Sequence, residues 1–284
     1  MNMAAPPRIL QVSDTHLGRG DVQGARNWAV VADLARTLRP ALVVHTGDLV
    51  LHDPDSSADR EAGLAALAAL GLPWRITPGN HEVGDSPCDD PVFGQAITRE
   101  RLYAWRSAAG DDRWRLDLGE WVVVGLNALL FGTGWREEDE QWEWLSALLQ
   151  DAAPRPVMLF LHKPPYLEDF HEERDDSMAI PSAARARLRA LAVGSSLRLI
   201  ACGHRHEFRS YAGLRDEPAV IWAPPVSFLI ARATPPVPDP VNQPGCVLHT
   251  LVGQRVISQL LAPAALERFD GSFLYRLRDA HAAA

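Results

Sequence analysis

Ile76-Thr77-Pro78-Gly79-Asn80-His81-Glu82 is the stretch on which the reading of this chain turns. The short apolar run Leu72 to Ile76 reads as a strand, and Pro78-Gly79 stops it at once. Just past the stop stand an amide, an imidazole and a carboxylate. In an open α/β sheet, residues beyond the carboxyl ends of strands face the ligand crevice. The carbonyl oxygen of Asn80 is a neutral hard ligand for a metal ion, which leaves His81 for proton work. Glu82 is expected either to orient His81 through the ring's other nitrogen or to lie in solvent.

The same arrangement occurs twice upstream. The apolar run Arg8 to Val12 ends in Ser13-Asp14-Thr15-His16-Leu17-Gly18. Residues i and i+2 of an extended segment point to one side, so Asp14 and His16 can grip one ion together. Apolar residues at helical spacing (Trp28, Val31, Leu34, Ala35, Leu38) predict a helix over 25–38, and Ala41 to His45 a buried strand ending in Thr46-Gly47-Asp48. Such a strand–helix–strand unit makes its two strands parallel, so Asp48 should emerge beside Asp14 and His16. His45 is expected in the core, and His52 and Asp53 in a solvated loop. A helix over 59–70 then leads to the strand before Asn80.

Downstream, 83–97 reads as loop, 99–107 as helix, and 113–118 with 120–127 as a hairpin. A helix over 137–150 carries the core stripe Trp142, Leu145, Leu148 and Leu149, with Phe131 packed under it. The strand Pro156 to Leu161 delivers His162-Lys163-Pro164-Pro165. The polar run Glu168 to Asp176 reads as a solvated loop, placed where a flap over the site would lie, with His171 in reach of substrate. A helix over 181–192 and a strand over 197–201 lead to Gly203-His204-Arg205-His206. Strands are expected at 208–211, 219–223, 227–231, 245–252 and 254–261, around a Pro-rich loop at 234–244. Residues 1–262 read as a single domain, and 263–284 as a tail with some helical character.

Composition narrows the function classes. The chain has 284 residues, 47% hydrophobic and 23% charged, with a net charge of −8. That balance offers no basic groove for nucleic acid and no attraction to anionic membranes. Of the 28 basic residues only Lys163 is lysine, which reads as a bias of the source genome. Cys88, Cys202 and Cys246 are too few and too scattered for a disulfide framework or a thiolate zinc site, and they fit a reducing compartment. With no signal-like start and no apolar run approaching ~20 residues, the expectation is a cytoplasmic protein.

Five strand-end stretches therefore line up: Asp14-x-His16, Gly47-Asp48, Gly79-Asn80-His81, His162, and Gly203-His204-x-His206. Their order resembles the calcineurin-like metallophosphoesterase superfamily. Asp14-Thr15-His16-Leu17-Gly18, Pro78-Gly79-Asn80-His81 and His162-x-Pro164-Pro165 are most similar to its bacterial, cyclic-nucleotide-phosphodiesterase-like (class III) branch. The resemblance covers roughly residues 8–261. It implies an α/β sandwich of two mixed sheets flanked by helices, and a site for two divalent ions. Asp14, His16 and His206 would hold one ion, Asn80, His162 and His204 the other, and Asp48 would bridge them. Carboxylate, imidazole and amide ligands without thiolate suit Mn²⁺, Fe or Zn²⁺, with Mn²⁺ the natural choice in vitro.

The implied reaction is hydrolysis of a small phosphodiester, a cyclic nucleotide or similar compound. Two ions ~3.5–4 Å apart share a hydroxide that attacks phosphorus in line with the leaving group. His81 is similar to the histidine that stabilises the transition state and protonates the leaving oxygen. Asn80, His81 and Arg205 are the side chains expected to meet substrate. Departures are the run Leu49-Val50-Leu51 where the branch often has an acidic residue, Pro78 where protein phosphatases place arginine, and Arg205 in place of a small residue. The alternatives are a nucleotidase-like phosphomonoesterase and, from another class, a non-catalytic scaffold. A homodimer contact would form after residue 207, where strands and apolar residues gather.

Overall fold

Most strands of this chain are apolar on both faces, and the layering explains why. The computed structural model describes residues 5–18, 22–51, 53–87, 95–214, 216–230 and 242–271. In one sheet β1 (Arg8–Val12), β2 (Leu42–His45) and β3 (Trp74–Ile76) run parallel, connected by α1 (Val22–Leu38) and α2 (Ser57–Ala68). β10 (Cys246–Val252) pairs antiparallel with β1, and β11 (Arg255–Leu261) with β10, giving the order β11-β10-β1-β2-β3.

The second sheet holds β4 (Trp114–Leu118), β5 (Trp121–Gly125), β6 (Val157–Phe160), β7 (Leu197–Cys202), β8 (Arg209–Tyr211) and β9 (Ala219–Trp222). Its order is β4-β5-β6-β7-β9-β8, with β5, β6, β7 and β9 parallel and the two edge strands antiparallel. α5 (Arg136–Ala152) and α6 (Ser182–Ala192) make the crossovers between its parallel strands. α3 (Asn80–Val83) and α4 (Arg99–Ala109) lie between β3 and β4.

Side chains sort by the period of two. Ile9, Leu42, Val44 and Val247 of the first sheet meet Val123, Met158, Phe160 and Leu199 of the second in one buried cluster. The alternate positions, Leu10, Val43, Val122, Val124, Leu159 and Ile200, pack with the buried helix residues Val31, Ala35, Trp142, Leu145 and Leu188 in another. A strand covered on both faces needs apolar residues at every position. Each such side chain contributes roughly 1.5–3 kcal/mol by leaving water. The result is the sandwich of two mixed sheets with outer helices that the family resemblance implies. Phe131 stacks on Trp142 with ring centroids 4.5 Å apart, the packing role expected of it.

Parallel pairing sets the strand ends side by side. Val12 is level with His45, and His45 with Ile76, so the segments after β1, β2 and β3 emerge together. On the other sheet Phe160 is level with Ala201, and the Gly203 amide donates to His162 O at 2.9 Å.

Four expectations need correction or limits. Val83, read as the start of a loop, instead closes the short helix α3 that Asn80, His81 and Glu82 open. Residues 227–230 are not a strand: the Val226 and Ser227 amides donate to Ser13 O and Asp14 O, and only Leu229 forms a bridge, with Asp270. The described part of the tail, 263–271, has turns and that bridge but no helix, and the rest lies outside the described residues. Cys88, His52 and most of the Pro-rich loop also lie outside them.

Candidate active site

Backbone hydrogen bonds zip the segments that follow β1 and β2. The Asp14 amide donates to Gly47 O at 3.0 Å, His16 to Asp48 O at 3.0 Å, and Leu17 to Leu49 O at 2.6 Å. To make these turns Asp14 (φ 53°), His16 (46°) and Asp48 (55°) adopt left-handed backbone, and His204 (68°) and His206 (50°) do so on the other sheet. Such a conformation costs a non-glycine residue of order 1–3 kcal/mol. Among the other described non-glycine residues only Arg39 shares it. The strain is gathered on the candidate ligands.

Glu82 does neither thing expected of it. It is 1% exposed, and its Oε2 accepts from the amides of Asp48 (2.9 Å) and Gly79 (2.7 Å) while Oε1 accepts from Val50 (3.0 Å). Its carboxylate thus locks the Asp48 turn to the Asn80 turn. Burial, aided by the Asp48 charge, raises its pKa to about 7. Two glycines permit the close approach: a Cβ at Gly79 would overlap the Asp48 carboxylate, and one at Gly203 the Ser13 hydroxyl.

Two donor groups result, and they share one residue. Ligand-capable atoms of Asp14, His16, Asp48 and His206 lie within 4.8 Å of one another, as do those of Asp48, His162 and His204. Asn80 Oδ1 joins the second group, 3.0 Å from His162 Nε2. Asp48 spans both: Oδ1 is 3.3 Å from His162 Nε2, and Oδ2 is 3.9 Å from His16 Nε2. All seven expected ligands are together and buried.

The rings are set for cations. Nδ1 of His162, His206 and His16 donates to the carbonyls of Thr46 (2.7 Å), Phe228 (2.6 Å) and Leu51 (3.2 Å). A neutral imidazole anchored this way turns the lone pair of Nε2 inward. His16 and His206 aim theirs at each other across 3.1 Å, and Asp14 Oδ1 stands 3.4 Å from the same His206 nitrogen. Lone pairs and carboxylate oxygens packed together repel unless positive charge lies between them.

Electrostatics agree. Burial would raise the Asp48 carboxyl, but His162 and His81 overcome it and hold it well below the usual range. Burial, reinforced by His81, lowers His16 to about 3, and burial with His162 holds His204 well below its ordinary value. Burial alone would lower His162 too, yet Asp48 and Asp14 raise it to about 9. Carboxylates that draw a proton onto a buried ring mark a site that attracts positive charge. The donor set, with Asn80 and no thiolate, fits hard or borderline divalent ions.

His81 stands beside both groups and within neither. Its Nε2 is 3.9 Å from Asp48 Oδ2, its ring meets His16 edge-on at 4.6 Å, and its amide donates to Asp48 Oδ1 at 3.1 Å. Burial lowers its pKa. Arg205 lies half-buried with its guanidinium over the Trp222 ring, 5.5 Å from the centroid. His45 is a core residue as expected, bonded to Thr15 Oγ1 at 2.9 Å. The polar run 168–176 is the largely exposed loop expected, and it is held in place: Glu172 accepts from the Leu167 and Glu168 amides and from Arg185, and His171 faces Glu217 at 3.6 Å.

One site residue escaped the sequence. The Phe228 ring lies 4.7 Å from that of His16 and 4.5 Å from that of His206, and its carbonyl anchors His206. It fell in the segment read as a strand, with no motif to mark it.

A family model described as calcineurin-like phosphoesterase matches residues 7–208. The glycerophosphodiester phosphodiesterase GpdQ of Enterobacter lignolyticus is 28% identical over 94% of this chain and 94% of its own length. The serine/threonine-protein phosphatase CPPED1 of Danio rerio is 30% identical over 63% of this chain and 57% of its own. Among solved structures, a dimetal phosphatase from Danio rerio shares the fold, with a TM-score of 0.62 at 13% identity over 91% of this chain and 100% of that one.

Proposed function

Since the chain belongs to the calcineurin-like phosphoesterase family and is a metal-dependent phosphoesterase, we propose that its reaction is hydrolysis of a small phosphodiester. Asp14, His16 and His206 would hold one divalent ion, and Asn80, His162 and His204 the other, with Asp48 serving both. Mn²⁺ is the ion chosen for reconstitution. When bound, such a pair supplies a water of lowered pKa and neutralises the charge of the phosphoryl group.

The chain's own residues do the rest. Asp48, one oxygen toward each donor group, is the observation that carries the reading. Glu82 and the left-handed turns hold the ligands before substrate arrives, so little reorganisation is left for the reaction. His81 enters as a neutral ring, since burial lowers its pKa. Its position beside Asp48 suits donation of an N–H hydrogen bond to a phosphoryl oxygen, and a proton that the neutral ring takes up from the attacking water would pass from it to the leaving oxygen. Asn80 and Arg205 would meet the phosphate, with Arg205 steadied by Trp222.

Similarity along nearly its whole length to a protein named as a glycerophosphodiester phosphodiesterase supports the diester over the monoester, and glycerophosphodiesters join cyclic nucleotides as candidate substrates. The protein phosphatase relative supports a second reading, a phosphomonoesterase. The test is hydrolysis of glycerophosphoethanolamine, cyclic AMP, bis-p-nitrophenyl phosphate and p-nitrophenyl phosphate by protein stripped of metal and reloaded with Mn²⁺. Metal-dependent turnover that favours the diesters is expected. Preference for the monoester would replace this reading with the second.

A further inference from the structure

The only lysine of the chain lies next to a candidate ligand, and nothing in the reaction uses it. Lys163 follows His162 and is 0% exposed, which is rare for an ammonium group. Its Nζ pairs with Asp85 Oδ1, also 0% exposed, and donates to Ser86 Oγ at 3.1 Å. Burying a charge is costly unless it is paired and hydrogen-bonded, so a completed pair at this depth fixes its two partners firmly.

The partners come from different sheets. Lys163 lies beyond the end of β6, whereas Asp85 lies two residues past α3, the helix that opens with Asn80 and His81. The Asp85 end is itself rigid. Its amide donates to Gln95 O at 2.7 Å, and its carbonyl accepts from Ile97 at 2.7 Å. The second donor group is drawn from these same two places, Asn80 from the first sheet and His162 from the second, with ligand atoms 3.0 Å apart. Lys163 and Asp85 therefore make a charged tie between the segments that carry Asn80 and His162. Among the described residues the first group has no such charged tie. Its Asp14 is bonded directly to the facing loop, by the His204 amide at 3.1 Å.

We infer that Lys163 is a positioning residue for the second metal: its ion pair with Asp85 holds Asn80 against His162 and so sets the affinity of the Asn80–His162–His204 group, leaving the Asp14–His16–His206 group alone. The inference rests on the dinuclear reading above. It also accounts for lysine in a chain that otherwise uses arginine. A compact ammonium on a flexible stem reaches two acceptors in a closed pocket, where a planar guanidinium needs more room.

The test compares wild type, Lys163→Met and the double variant Lys163→Met/Asp85→Leu. The double variant leaves no unpaired buried charge, so it is the one to use if the single variant does not fold. Calorimetric titration of metal-free protein with Mn²⁺ gives the affinity of each equivalent, and the exchange-coupled Mn²⁺ resonance signal reports the occupied pair. Thermal melting of the metal-free proteins separates stability from positioning. The expected result is a first equivalent bound as in wild type, a second about 10- to 100-fold weaker, and a weakened coupled signal, even where the double variant melts as wild type does. Wild-type affinity for both equivalents in the double variant would overturn the inference, as would equal weakening of both. Wild-type protein that binds fewer than two ions would instead overturn the dinuclear reading, and this inference with it.

Discussion

Asp48 Oδ1 lies 3.3 Å from His162 Nε2, across the boundary between the two sheets, while its other oxygen turns toward His16. A carboxylate so placed belongs to both donor groups. Asp48→Ala is expected to abolish uptake of both ions, read as metal content after reconstitution and desalting. One ion retained at full occupancy would show that the groups are independent.

Glu82 contributes through the backbone. Its two oxygens accept three amides, those of Asp48, Val50 and Gly79. Glu82→Gln replaces one acceptor oxygen with an NH₂ that must face an amide donor. The expected loss is about 1–3 kcal/mol of unfolding free energy, with reduced metal uptake. A variant as stable as wild type would mean that the three amides find other partners.

His81 should separate chemistry from metal binding. Because its ring stands outside both donor groups, His81→Ala is expected to retain both ions while turnover falls by ~10²–10³. Loss of an ion in this variant would make His81 a ligand.

His249 tests the core rather than the site. It is buried on β10, bonded through Nε2 to Gln11 Oε1 at 3.1 Å and through Nδ1 to Ser258 Oγ at 2.8 Å. Burial lowers its pKa from 6.5 to about 3. The folded state therefore binds fewer protons here than the unfolded chain between those values. The stability contributed by its neutral form is present above pH 6.5 and is lost as pH falls toward about 3. His249→Gln should flatten the fall of melting temperature over the upper part of that window, with a difference of up to about 1.4 kcal/mol per pH unit. Parallel profiles would contradict it.

Much of the site was legible because its ligands follow strands whose apolar runs mark where they end. Asp14, Asp48, Asn80, His162 and His204 each lie two to four residues past a strand, and parallel pairing brings such ends together. What escaped was set by contacts between distant segments. Glu82 was hidden because its partners are backbone amides, which have no signature in sequence. Phe228 was hidden because its segment spends its amides on Ser13 and Asp14 instead of a ladder, so an apolar run resembled a strand. Lys163 left a trace as the sole lysine, but its reason lay in Asp85, 78 positions away.

The most direct test is anomalous scattering from crystals of the Mn²⁺-loaded protein, recorded at the manganese edge. Two peaks are expected, ~3.5–4 Å apart, one within reach of Asp14, His16 and His206 and the other within reach of Asn80, His162 and His204, with the Asp48 carboxylate between them. A single peak, or a pair that leaves Asp48 out of contact with either ion, would contradict the shared-carboxylate site on which the account depends.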